Sequence, residues 1–390
     1  MALNNFDKKI FLAEFWQQKP LVIRKAFDQP FWLEPDELAG LSCEENIESR
    51  IIRQHDKQWN VEHGPFDEAH FSTLPEQDWT LLVQAVDQWV PEVKDILEDF
   101  DFLPSWRLDD VMVSYGPKGG TVSQHYDFFD VFLIQGKGRR SWQVGEICGS
   151  HSELVPNTSV RILKEFNAVM DVTLEPGDML YIPAKHAHLG VSLEDSLTYS
   201  VGFKAPSVRD MVDGVATLSL ENLLEDTRYQ DTSKTLLAEK GEIPASSIAQ
   251  IREQLSEALL DDHLISSWFG RYVTEQKYSE IENGSSEDDG EEEEFNNLAW
   301  VDELKAGVAL IKNPASRFAY TALNGKGLKA FTLFVDGVEM CVDPKLAIIL
   351  ANSSRLNTAE IMPLLEVNDN RVLIESLLKS GALFFEDDVC

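Results

Sequence analysis

Basic residues are scarce in this chain. Its 390 residues carry 34 Lys and Arg against 67 Asp and Glu, a formal net charge of −33. A surface with that balance repels nucleic acid and anionic membranes and attracts basic proteins, so direct nucleic-acid binding is not expected. Cysteine is equally sparse. Cys43, Cys148, Cys341 and Cys390 are scattered and form no CxxC pair, which argues against a disulfide scaffold or a thiolate zinc site. No apolar run approaches the length of a membrane span, and residues 1–9 lack the apolar core of a signal peptide. The expectation is a reduced, cytoplasmic protein without membrane contact.

What is present suits a folded chain. At 43% hydrophobic and 10% aromatic, a sizeable core is affordable, and the length suits two or three domains. Up to residue 206, short apolar or alternating runs punctuated by Gly and Pro read as strands, among them 20–24, 110–115, 130–135 and 178–183. Residues 79–86 read as helical. Gln135-Gly136-Lys137-Gly138-Arg139 reads as a turn, with Arg140 opening the return strand of a hairpin.

From 207 the pattern turns helical: Val208, Met211, Val212, Val215 and Leu218 share one apolar face, as do Ile248, Ile251, Leu255, Leu259 and Leu260. Residues 284–294 are dominated by acids and have no apolar anchor, which reads as a solvated linker over 283–296. The last segment, 297–390, mixes a strand at 330–335 entering an Asp336-Gly337 turn, helices at 344–352, 358–365 and 369–380, and a strand at 382–385. That order resembles a winged helix, without a dense basic recognition face.

One constellation carries chemistry. His125 and Asp127 stand at i and i+2, which on a strand points both side chains to one face. A histidine from a distant strand would complete two His and one carboxylate, the facial set that leaves positions open on non-heme Fe(II). His186 and His188 both follow the run Pro176-Gly177-Asp178 to Pro183, and strand parity does not choose between them. Arg140 suits a carboxylate through its planar fork, here the far carboxylate of 2-oxoglutarate; Arg139 points the other way. Ser114 and Thr198 are candidates for hydroxyl contacts to the cosubstrate. No Glu follows closely behind Asp127, which points away from isomerase-type cupins.

The pattern His125-x-Asp127, Pro176-Gly177-Asp178-x-x-Tyr181-Ile182-Pro183 and His188 resembles the JmjC-type cupin oxygenases. Within them it is most similar to the bacterial ribosomal oxygenases, the ribosomal-protein arginine hydroxylases. Pro20–Arg24, Asp130–Gly136, Gly138–Gly145 and Tyr199–Phe203 fit that group as well, and the resemblance covers essentially the whole chain.

The resemblance implies an α+β chain. A double-stranded β-helix (cupin/JmjC) barrel fills 1–206, a helical dimerisation region 207–282, an acidic linker 283–296 and a winged-helix-like domain 297–390. It implies His125, Asp127 and His188, not His186, as ligands of Fe(II), with Arg140 on the C5 carboxylate of 2-oxoglutarate. It further implies an O2-consuming hydroxylation of an arginine β-carbon in large-subunit ribosomal protein sixteen, with release of succinate and CO2, by a homodimer. Histidine hydroxylation, lysine demethylation and a non-catalytic metal-binding scaffold in ribosome assembly are the competing expectations.

Overall fold

A computed structural model describes residues 3–28, 32–55, 58–156, 158, 161–231, 239–278, 299–325 and 328–388. The chain divides into two compact units, Met1–Ala205 and Pro206–Cys390.

The first unit contains α1 (Lys8–Glu14), β1 (Leu21–Ile23), α2 (Pro35–Leu41), β2 (Ser49–His55), β3 (Gln58–His63), α3 (Glu68–Phe71), β4 (Trp79–Val83) and α4 (Pro91–Lys94). The strands β5 (Leu108–Gly116), β6 (Asp130–Lys137), β7 (Arg140–Ile147), β8 (Ala168–Leu174), β9 (Met179–Ile182), β10 (His186–Ser192) and β11 (Ser196–Phe203) follow. They form an eight-stranded sheet in the order β1-β9-β6-β11-β5-β4-β2-β3, and a three-stranded sheet in the order β10-β7-β8. All pairings are antiparallel.

Period-two alternation divides the large sheet's side chains between its two faces. One face presents Ile51, Leu81, Val111, Val113, Phe132, Ile134, Tyr181, Tyr199 and Phe203, in a single core with Phe11 of α1 and Leu38 of α2. On the other, Leu133, Leu180 and Ile182 join Trp142, Val144 and Leu174 of the small sheet in a separate apolar core. The space between the two sheets is the interior of the barrel.

Three local expectations are corrected here. Residues 79–86 do not form a helix: Trp79–Val83 is β4, and Ala85 is left-handed (φ 49°). All five β4 residues are buried, Trp79, Leu81 and Val83 in the outer core and Thr80 and Leu82 on the alternate face. A strand covered on both faces shows no polar alternation. Nor do β6 and β7 form a hairpin. The turn at Gly138 (φ 61°) carries the chain from one sheet to the other, β6 pairing with β9 and β11 and β7 with β8 and β10. Finally, His125 and Asp127 lie on no strand. Their segment makes a single isolated bridge, His125 to His188.

The Pro-Gly-Asp turn is a staple. Gly177 takes φ 91°, which favours glycine. Asp178 accepts the Lys25 and Glu175 amides at 3.0 Å each and the Arg24 guanidinium at 2.5 Å, tying β1 to the start of β9.

The second unit holds α5 (Val208–Asn222), α6 (Ala245–Leu259), α7 (Asp262–Thr274), α8 (Ala299–Ala306), β12 (Leu310–Lys312), β13 (Phe318–Gly325), β14 (Leu328–Val335) and β15 (Val338–Cys341). It continues with α9 (Pro344–Asn352), β16 (Arg355–Leu356), α10 (Thr358–Ile361), α11 (Asn368–Lys379) and β17 (Leu383–Phe385). β13-β14-β15 and β16-β12-β17 form two small sheets, around a core that includes Trp300, Leu310, Leu333, Leu346, Leu350, Leu356, Ile374 and Leu377. α7 packs on β13–β15, where Gly270 lies so close to Phe334 that a Cβ would meet its ring at 2.3 Å. The expected linker 283–296 lies outside the described residues.

Candidate metal centre and its anion pocket

Two backbone devices build the centre. The amides and carbonyls of His125 and His188 exchange hydrogen bonds (3.0 and 2.8 Å), pinning two distant segments together. Ser123 and Lys185 take left-handed conformations (φ 69° and 68°), which cost free energy in non-glycine residues and gather at functional sites. The Lys185 amide then donates to the Asp127 carbonyl at 2.6 Å.

These constraints bring His125, Asp127 and His188 together, with one candidate ligand atom from each inside 4.8 Å. Nε2 of His125 and Nε2 of His188 each lie 3.6 Å from Oδ2 of Asp127, and the imidazole centroids are 4.2 Å apart. Nδ1 of His125 sits 2.9 Å from the Ser123 carbonyl, and Nδ1 of His188 3.0 Å from that of His186. A ring held by Nδ1–H donation to a carbonyl leaves Nε2 as a free lone pair, the arrangement behind a metal-binding histidine.

Burial disfavours charge here. For Asp127, attraction to His125 and His188 outweighs it, and the carboxyl is held well below the usual carboxylate range. The partnership with Asp127 likewise outweighs burial at His125 and raises that imidazole. His188, buried and next to His125, is pushed down to about 4, so it is neutral at physiological pH. His186 is also buried, and its Nδ1 finds no partner.

Arg140 is 2% exposed. Its Nη1 donates to Ser114 Oγ at 3.1 Å and to Thr198 Oγ1 at 3.5 Å, and its guanidinium carbon lies 5.0 Å from the Trp142 ring centroid. Thr198 Oγ1 donates a hydrogen bond to Gln135 Oε1 at 3.2 Å, and Ser114 donates to the Thr198 carbonyl at 3.4 Å. No carboxylate among the described residues pairs with Arg140, and burial lowers its pKa to about 10. Arg139 is exposed and pairs with Glu194 at 3.1 Å.

The residues present fit a divalent metal with an anionic co-ligand. The donor set is two imidazole nitrogens and a carboxylate, a three-ligand set that leaves coordination positions open. Buried donors without partners gather in the same barrel: Nε of Arg140, Nε1 of Trp142 and Nε of Arg50. A ligand rich in acceptor oxygens would satisfy them. Sequence reasoning missed Gln135, Trp142 and Arg50. Only the parity of Trp142 with Arg140 on one strand was available as a signal.

Comparison with known proteins supplies the context. A JmjC domain model matches residues 95–211, and a ROXA-like winged-helix model matches 251–384. The chain is 35% identical over 305 residues to the ribosomal protein uL16 3-hydroxylase of Escherichia coli (strain K12), covering 77% of this chain and 79% of that one. It is 44% identical over 211 residues to a probable ribosomal oxygenase of Haemophilus influenzae, covering 53% and 52%. Among solved structures, E. coli YcfD superimposes with a TM-score of 0.87 at 31% identity, over 99% of this chain and 100% of that one. YcfD in complex with cobalt and 2-oxoglutarate gives 0.84 at the same identity, over 99% of each chain.

Proposed function

The chain belongs to the bacterial ribosomal oxygenases of the JmjC class, and on that premise we propose that it hydroxylates the β-carbon of an arginine in large-subunit ribosomal protein sixteen, uL16. It is a 2-oxoglutarate-dependent dioxygenase. The observation that carries the reading is the pairing of a His125–Asp127–His188 donor set with a buried guanidinium that has no acid partner.

Fe(II) bound there supplies the oxidation: O2 and 2-oxoglutarate are consumed, succinate and CO2 leave, and one oxygen atom enters a substrate C–H bond. The protein's part is to position and to shield. His125 and His188 present Nε2 because carbonyls hold their Nδ1 atoms. Arg140 takes the far carboxylate of 2-oxoglutarate through a charge-assisted pair, and Ser114 and Thr198 hold Arg140 in place. Leu133, Val144, Leu174, Leu180 and Ile182 form a dry floor that strengthens each of these interactions.

The net charge of −33 favours encounter with a basic ribosomal protein, and the cytoplasm is the compartment that goes with such a substrate. α6 buries none of its residues, and Ile248, Ile251 and Leu255 are 44–54% exposed along one of its faces. Val208, Met211 and Val212 of α5 are exposed too. The occupant we assign to this apolar surface is a second copy of the chain.

Mass spectrometry of uL16 after incubation with enzyme, Fe(II), 2-oxoglutarate and O2 tests the activity, with His188→Ala as control. One added oxygen on an arginine, absent in the control, is expected. Succinate without modified uL16 would sink the substrate assignment, and neither product from iron-loaded, folded protein would sink the activity.

A further inference from the structure

Arg50 has no part in the chemistry described so far, yet it faces the same chamber. It sits on β2, and the cross-strand register runs Arg50–Leu82–Ser114–Thr198–Gln135 over five strands. Directly paired residues point to the same side of a sheet. Arg50 therefore shares the face on which Ser114 and Thr198 hold Arg140. Its sequence neighbour Ile51 points into the outer core, as alternation requires.

Two strand steps separate Arg50 from Ser114, about 10 Å of sheet, which is within the combined reach of two arginine side chains and a short dicarboxylate. The Arg50 charge is near enough to act on both His125 and Asp127. Its Nε is buried without a partner, and no carboxylate among the described residues pairs with it.

We infer that Arg50 binds the metal-side carboxylate of 2-oxoglutarate, opposite the end held by Arg140, and so couples cosubstrate binding to metal binding. This rests on the reading of the site given above. A guanidinium whose charge reaches Asp127 and whose Nε lacks a partner repels a divalent cation that arrives alone. A dianion arriving with the metal satisfies cation and guanidinium together. Each ligand then strengthens the other by the same factor, as linkage requires.

Mn(II) and 2-oxoglutarate are the probes, in the full-length protein and without turnover. Free Mn(II) is followed by electron paramagnetic resonance, and 2-oxoglutarate binding to the Mn(II)-loaded protein by calorimetry. Arg50→Gln is expected to bind Mn(II) alone several-fold more tightly, and 2-oxoglutarate about tenfold to a hundredfold more weakly. A merely misfolded variant weakens both, so the opposite signs are the signature. Arg50→Lys keeps the charge without the planar fork; it should match wild type for Mn(II) alone and fall between the two for 2-oxoglutarate. If Arg50→Gln leaves 2-oxoglutarate affinity within about twofold of wild type while Arg140→Gln abolishes binding, the assignment of Arg50 is overturned and the site reading stands. Wild-type protein that binds neither probe overturns both.

Discussion

Nη1 of Arg140 lies 3.1 Å from the hydroxyl of Ser114, so the most deeply buried cation of the barrel is held by neutral groups and an indole face rather than by an acid. A buried charge without a counter-charge costs the fold stability, and burial alone lowers this guanidinium from 12.5 to about 10. Arg140→Met should therefore stabilise the ligand-free protein, by about 1–3 kcal/mol, while abolishing 2-oxoglutarate binding. The sign with pH follows from proton counting. Between pH 10 and 12.5 the unfolded chain retains a proton that the folded chain has lost, so wild-type stability rises with pH through that window. Below it the penalty is fully present. Thermal unfolding near neutral pH should show the variant melting higher, with 2-oxoglutarate raising the melting temperature of metal-loaded wild type only. A variant that melts lower than wild type without ligand would contradict the uncompensated charge.

His186 and His188 provide an internal comparison. Both are buried, but only His188 faces Asp127, and what His186 gives the centre is its backbone carbonyl. His188→Ala removes a donor, whereas His186→Ala keeps the carbonyl that orients His188. Titration with Co(II) should show His188→Ala losing more than the roughly 10- to 100-fold typical of groups that stand behind a ligand. His186→Ala should stay within about tenfold of wild type. Equal losses in both variants would mean that His186 supports the centre through its ring.

The residue types of the centre were legible in the sequence because they are rare and specifically spaced. The spacing of His125 and Asp127 drew attention for a reason that does not hold, since a left-handed Ser123 and one bridge to His188 position them, not a strand. The turn before Arg140 was legible as a turn, but turn residues specify a reversal and not which sheet receives the chain. β4 was misread because burial on both faces erased its alternation. Arg50 was invisible for a deeper reason: its place depends on the register of five strands, none of which carries that information alone. The second unit reads more directly. The apolar stripes at 208–218 and 248–260 mark α5 and α6, and 344–352 coincides with α9.

Trp142 links floor and clamp, because Arg140 stacks on it and Gly190 of β10 faces it across the pair. A Cβ at Gly190 would meet the indole at 2.7 Å. Since the indole is hemmed in by Val144 and Leu174, Gly190→Ala must displace it or the backbone, at about 1–3 kcal/mol. The shift should reach Arg140 as well, so 2-oxoglutarate affinity should fall while metal affinity holds. Calorimetry on folded Gly190→Ala decides this, and an unchanged 2-oxoglutarate affinity would uncouple the stack from the clamp.

The dimer assignment yields its own test through the spacing on α6. Ile248, Ile251 and Leu255 recur at three and four residues, the geometry of one helical face, and they are 44–54% exposed. Leaving such a stripe in water forfeits its transfer free energy, on the order of 1.5–3 kcal/mol per large side chain. In a two-fold symmetric pair each substitution acts twice, because the same patch serves both partners. Ile251→Glu with Leu255→Glu would therefore place four carboxylates in one interface, and the added negative charge compounds a chain already at −33. Analytical ultracentrifugation at micromolar concentration should give a dimer for wild type and a monomer for the double variant. Metal and 2-oxoglutarate binding should persist in that monomer, since every residue assigned to the centre lies in the first compact unit. A monomeric wild type would remove the second copy as the occupant of this face and leave α6 to be explained by a different partner.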